Sequence, residues 1–204
     1  VTNFAYNSRR MIAVEGKHNI GEAAAALIPD NASVILNIGT TTEQVAKSLY
    51  RHKGLMVITN NINIANILLE TSEAEVLIAG GSARRADGGI IGASAVDFIR
   101  QFKVDIAVIG ASAIDEDGSL LDFDHREVRV SKAILEHARK VILVTDGMKF
   151  ERKAPARIGH ISEIKTFVTD VPPPQKFIDL CNEAGVEIIV AEQDMPLPED
   201  SVDE

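Results

Sequence analysis

The chain has 204 residues, 46% hydrophobic and 25% charged, with 30 acidic against 21 basic side chains and a net charge of −9. That composition suits a globular domain with a sizeable core and excludes a broad cationic face for non-specific nucleic-acid binding. The single cysteine, Cys181, excludes an internal disulfide; no zinc spacing and no apolar run of membrane-spanning length is present, so a reducing, cytoplasmic setting is expected.

The sequence opens Val1-Thr2-Asn3-Phe4 without a Met, and residues 1–16 read as a linker from a longer polypeptide. An N-terminal helix is expected over Lys17 to Leu27, stopped by Pro29-Asp30-Asn31. From there short β-branched runs alternate with helical patterns, the signature of βαβ units feeding a parallel sheet. The first strand is Val34 to Ile38, followed by Gly39-Thr40-Thr41-Thr42 and a helix from Glu43 to Tyr50. A second strand, Leu55 to Ile58, runs into Thr59-Asn60-Asn61 and a helix from Ile62 to Leu69; a third, Val76 to Ala79, ends at Gly80-Gly81. In open α/β sheets ligands bind at the carboxyl ends of strands, so three polar, Gly-rich strand ends in succession point to one site.

Beyond these come a helix over Ser94 to Phe102, a strand over Asp105 to Ile109 and a turn-rich stretch over Asp115 to Ser119. A helix from His125 to Arg139 leads to strands at Val141 to Thr145 and Thr166 to Thr169. Pro172-Pro173-Pro174 forms a connector to a last helix, Lys176 to Glu183, and a last strand, Val186 to Val190. The expected domain therefore covers 17–191, with an acidic tail over 192–204.

Gly39, Thr40, Thr41 and Thr42 stand at a strand-to-helix junction, where free amides and the positive helix end attract an anion and three hydroxyls add donors. One Thr would suffice for a plain cap. No Gly-Lys-Ser/Thr follows, which excludes a P-loop. Thr59, Asn60 and Asn61 suit the hydroxyls of a sugar or polyol, or else cap the next helix as an Asx turn. Gly80 and Gly81 allow close backbone approach. Arg84 and Arg85 are within reach of a phosphate in principle, although isolated surface arginines are commonly solvated. The acids from Asp115 to Glu127, including Asp122 and Asp124, do not match a calcium loop, because Leu120 and Arg126 fall where Gly and Glu are required. No metal, cofactor or catalytic residue is expected. Asp124 reads as a helix cap, Glu127 as a first-turn carboxylate beside the pocket, and Lys149 as a cation at another strand end.

In order, Ile38 to Thr42, Val57 to Asn61, Ile78 to Gly81, Gly88-Gly89-Ile90-Ile91-Gly92, Asp117 to Leu121, and Ser162-Glu163 through Asp170 with the three prolines resemble one family. It is the C-terminal sensor domain of DeoR-type bacterial repressors, most closely the branch that governs glycerol-3-phosphate regulons. The resemblance runs from about Lys17 to about Val190. It implies the fold of ribose-5-phosphate isomerase and the coenzyme A transferases and a sugar or polyol phosphate effector. It also implies a homodimer or homotetramer, and a preceding winged helix-turn-helix domain that contacts operator DNA. The phosphate loop falls on Gly39 to Thr42 with Gly80 and Gly81; the sugar site falls on Thr59, Asn60, Asn61, Gly110, Ser112, Asp122, Glu127 and Lys149. The isomerases carry a Lys-Gly-Gly segment where this chain has Asp117-Gly118-Ser119. Loss of that ammonium, a change of about 3 kcal/mol by analogy with oxyanion-site deletions, favours binding without turnover. An active isomerase and a purely structural dimerisation module are the competing readings.

Overall fold

The computed structural model describes residues 2–191 and shows a mainly parallel α/β architecture, with helices on both faces of one sheet. The acidic tail expected over 192–204 lies outside the described residues. Helix α1 (Thr2–Ala25) is longer than expected, since no proline interrupts the chain before Pro29. The first half then alternates as read: β1 (Ser33–Leu36), α2 (Thr40–Lys47), β2 (Met56–Thr59), α3 (Ile62–Thr71), β3 (Glu75–Ile78), α4 (Ala93–Ile99) and β4 (Val104–Ile109).

The stretch read as turns is a hairpin, β5 (Ala113–Ile114) and β6 (Ser119–Asp122), closed through Asp115 to Gly118. Helix α5 (His125–Glu136) ends earlier than Arg139, because His137 caps it and Ala138 already pairs with Val104. Strand β7 (Ala138–Val144) leads to a 3-10 turn (Gly147–Glu151) and to β8 (Ala156–His160), which completes a small antiparallel sheet in the order β5-β6-β8. β9 (Thr166–Thr169), α6 (Gln175–Ala184) and β10 (Glu187–Val190) close the chain.

The main sheet runs β10-β9-β7-β4-β1-β2-β3, all parallel. Strands buried on both faces feed two cores by alternation. Ile35 points into the layer of α4, α5, α6 and the small sheet; Val34 and Leu36 point into the layer of α1, α2 and α3. Strand order departs in opposite directions from β1 and β4, and the splayed loops there leave a crevice.

One close approach holds the second layer together. A Cβ on Gly21 of α1 would lie 2.7 Å from the Gln44 carbonyl carbon and oxygen of α2. The expected result for Gly21→Val is a loss of about 2 kcal/mol, the usual scale for overpacking, read as a lower urea midpoint at unchanged slope.

Candidate functional site

At the crevice the carboxyl ends of β1, β4 and β7 surround a cavity of about 340 Å³. Its floor comes from Asn37, Ile38 and the Gly39 to Thr42 loop after β1, from Gly110, Ala111 and Ser112 after β4, and from Val144 at the end of β7 and Lys149 beyond it. The hairpin contributes Asp122, the start of α5 contributes Phe123, Asp124 and Glu127, and the loop after β3 contributes Arg84 and Asp87.

Helix α2 opens on this cavity without a side-chain cap. Gly39 adopts φ 147°, ψ 150°, a conformation closed to larger residues, and Thr42 Oγ1 donates to the Gly39 carbonyl at 2.7 Å. The amides of Thr40, Thr41 and Thr42 have no intrahelical acceptor. Lys17 of α1 donates from Nζ to Thr40 Oγ1 at 3.0 Å, adding a cation at the rim. Lys149 lies deeper, with Nζ 3.8 Å from Asp146 Oδ2. Burial pushes its pKa below the ordinary lysine value, against the pull of Asp146, and the charges of Arg152 and Lys17 add to the depression. An uncapped helix start with two ammonium groups at one cavity has the charge and donors that favour an anion.

The opposite wall is acidic and ordered by Arg84. Its guanidinium pairs with both oxygens of Asp87, donates from Nη1 to Asp124 Oδ2 at 3.2 Å and from Nη2 to Glu127 Oε2 at 3.0 Å. Asp124 also caps α5, accepting from the Arg126 amide at 2.9 Å, and its pKa is held down to about 2, chiefly by the Arg126 side chain. Asp122 accepts from Ser112 Oγ at 3.0 Å and from the Phe123 amide at 2.7 Å. Burial raises the Glu127 pKa, Asp122 adds to the rise, and Arg84 opposes both.

That shift has a sign for stability. A carboxylate whose folded pKa lies above its unfolded value of about 4.3 contributes stability below that value and loses it as pH rises through the folded pKa. Glu127→Gln is therefore expected to gain on the wild type across that rise. The gain should vanish in acid, as urea unfolding from pH 4 to 8 would read.

The structure brings together Gly39, Thr40, Thr41, Thr42, Gly110, Ser112, Asp122, Glu127 and Lys149. It does not bring Thr59, Asn60, Asn61, Gly80 or Gly81 to the cavity. Thr59 Oγ1 donates to the Leu36 carbonyl at 2.8 Å and accepts from the Asn61 amide at 3.1 Å. Asn61 caps α3 by accepting from the Asn63 amide at 2.8 Å, the Asx alternative of the sequence reading. Asn60 donates from Nδ2 to the Ile90 carbonyl at 3.2 Å, and its backbone carbonyl accepts from the Ile90 amide at 2.7 Å; its Oδ1 has no partner among the described residues. These bonds, with the Gly80 carbonyl accepting from Ser94 Oγ at 3.3 Å, fasten the loop that delivers Arg84.

Three lining or rim residues, Lys17, Asn37 and Asp87, carry no local sequence signal; Arg84 carried a weak one. A further expectation is corrected. The Asp117 to Ser119 turn sits at the far end of the hairpin from Ser112 and Asp122, with Gly118 against the His160 ring. A residue there does not line the cavity, so the lysine missing from it is no argument about turnover.

A family model described as the DeoR C-terminal sensor domain matches residues 12–171. The chain belongs to that family. Among curated relatives, the glycerol-3-phosphate regulon repressor of Escherichia coli is 40% identical over 91% of this chain and 74% of its own length. The repressor of the same name from Haemophilus influenzae is 46% identical over 83% and 67%. The HTH-type transcriptional repressor GlcR of Bacillus subtilis is 33% identical over 93% and 73%. These relatives of the sensor domain are transcriptional repressors. Among solved structures, eIF2B delta from Chaetomium thermophilum aligns with a TM-score of 0.56 at 19% identity, over 81% of this chain and 58% of that one, and shares the fold. Ribose 5-phosphate isomerase A from Methanocaldococcus jannaschii aligns with a TM-score of 0.48 at 15% identity, over 66% and 53%. The chain thus spans somewhat over half the length of either solved structure. Among the described residues no helix is long and apolar enough to cross a membrane.

Proposed function

We propose that this DeoR-family chain is the effector-binding and oligomerising part of a cytoplasmic transcriptional repressor, and that its effector is a phosphorylated sugar or polyol, with glycerol 3-phosphate favoured. In this reading residues 17–191 form the sensor, residues 1–16 lead in from a DNA-binding domain of the full-length protein, and residues 192–204 are a tail. The sensor works as a homodimer or homotetramer, without metal or cofactor. Occupancy shifts operator binding by the difference in effector affinity between two arrangements of the assembly.

The observation that carries this reading is the uncapped α2 start facing a desolvated Lys149 across a small polar cavity. A phosphate takes the Thr40 to Thr42 amides and the ammonium groups of Lys17 and Lys149. The hydroxylated remainder meets Ser112, Asp122 and Glu127. The cavity is at the small end of the usual range for ligand pockets, about 300 to 1,000 Å³, which suits a three-carbon phosphate. The names of the relatives support the same choice.

Calorimetric titration with glycerol 3-phosphate should give saturable binding, with free glycerol and inorganic phosphate much weaker. Thr41→Ala, which removes a hydroxyl lining the cavity, should weaken binding about 10-fold, the scale of one hydrogen bond to a charged group. Silence with glycerol 3-phosphate, ribose 5-phosphate and fructose phosphates alike would leave the dimerisation module as the better reading. Conversion of ribose 5-phosphate to its ketose by the purified chain would favour the isomerase.

A further inference from the structure

Among the described residues, one buried polar atom of the cavity lining has no hydrogen-bond partner. Asn37, the residue after β1, is 3% exposed and lines the cavity between the phosphate loop and α5. Its amide nitrogen donates to Ser131 Oγ at 3.0 Å, and Ser131, one turn beyond Glu127 on α5, is itself 1% exposed. The backbone amide of Asn37 is engaged by the Val108 carbonyl at 3.1 Å. Asn37 Oδ1 has no partner among the described residues, although a buried acceptor without one is costly.

We infer that Asn37 is a specificity-determining residue whose Oδ1 accepts a hydrogen bond from a hydroxyl of the bound polyol phosphate. This rests on the phosphate-effector reading and adds to it the group that distinguishes a hydroxylated ligand from a deoxygenated one. The side chain cannot swing freely to a substitute, because Ser131 holds its other end. A ligand bearing a hydroxyl there satisfies the acceptor; one bearing hydrogen leaves it desolvated and unpaired, which is how a polar site rejects an analogue that lacks the group. The carboxylates of Asp122 and Glu127 line the same cavity and face the ligand's other hydroxyls in this reading.

The test is titration of the whole chain with glycerol 3-phosphate, 3-hydroxypropyl phosphate and 2-hydroxypropyl phosphate, which lack the middle and the terminal hydroxyl in turn, and repetition with Asn37→Ala and Asn37→Ser. In the wild type one deoxy analogue should bind at least 10-fold more weakly than glycerol 3-phosphate. In the variants glycerol 3-phosphate should fall to that analogue's level, with discrimination at that hydroxyl reduced to within 2-fold and discrimination at the other retained. Wild-type binding of both analogues within 2-fold of glycerol 3-phosphate would overturn the inference without any variant. Discrimination unchanged in folded variants would overturn it while leaving the effector reading intact. Absence of binding by all three ligands would overturn both.

Discussion

Lys149→Met is expected to weaken glycerol 3-phosphate binding by about 100-fold while leaving the far-ultraviolet circular dichroism of the ligand-free chain unchanged. The ammonium lies in the cavity wall, 17% exposed; among the described residues its one ion pair is the long one to Asp146, at 3.8 Å, with the Asp122 carboxylate farther off. Burial without a close partner disfavours the charged form and pushes the Lys149 pKa down. A phosphate restores what water has lost there, so the charge contributes to binding in a low-dielectric setting rather than to folding. A 100-fold loss corresponds to about 2.7 kcal/mol, within the range for a charge-assisted bond. Methionine keeps the stem volume and removes only the charge. The same geometry predicts the pH dependence. Affinity should decline as pH rises through the lowered Lys149 pKa, earlier than for an ordinary lysine near 10.4, and should decline in acid as the phosphate loses its second charge near pH 6. Titration of the variant and the wild type at several pH values reads both effects.

The second large effect belongs to Arg84. Its guanidinium is the shared partner of Asp87, Asp124 and Glu127, with hydrogen bonds at 2.9, 3.2 and 3.0 Å among them. Arg84→Ala leaves three carboxylates around one wall, with Asp122 beside them, and releases the loop that the arginine ties to α5. Exposed ion pairs contribute about 0 to 1 kcal/mol, and breaking a buried one costs about 3 to 5. Arg84 is 25% exposed and Glu127 15%, so a loss of about 2 kcal/mol at neutral pH is the expected result. The loss should shrink in acid, because protonation of Glu127 removes the repulsion from Asp122. Arg84→Lys should recover little of it, since a point charge does not reproduce a fork directed at three acceptors. Urea unfolding of the two variants at pH 5 and pH 7.5 would check the sign and the size.

Much of this architecture is legible in the sequence. The central strands are buried on both faces, so Val34 to Leu36, Ile106 to Ile109 and Val141 to Val144 are near-continuous apolar runs that only a parallel sheet explains. Strand β9 is read from end to end. The small sheet is less visible, because β5 has two residues and β8 buries only Ile158 along Ala156-Arg157-Ile158-Gly159-His160. The end of α5 is also missed: Arg139 and Lys140 are exposed residues of a strand whose burial begins only at Val141, and exposed charges at a helix end look the same.

The site divides along a similar line. Gly39 to Thr42 announces itself because a glycine followed by three hydroxyls at a strand end has a local physical purpose. Thr59-Asn60-Asn61 has the same look, yet Thr59, Asn61 and the Asn60 amide nitrogen bond within the fold, since an amide side chain that caps a helix and one that meets a ligand are spelled identically. Arg84 shows the opposite problem. Beside Arg85 it reads as surface, and only the tertiary fold brings it to Asp124 and Glu127, 40 and 43 residues away. Asn37 looks like one more residue at the end of a strand until its neighbours are placed and one acceptor is found without a donor.

In the proposed function the α2 start receives the effector's phosphate. The most direct test of this is the movement of the Thr40, Thr41 and Thr42 backbone amide resonances in ¹⁵N-labelled protein during titration with glycerol 3-phosphate, with glycerol as the control. Saturable downfield shifts at these three amides, absent with glycerol, are the predicted result. Binding that leaves them in place while moving resonances elsewhere would contradict it.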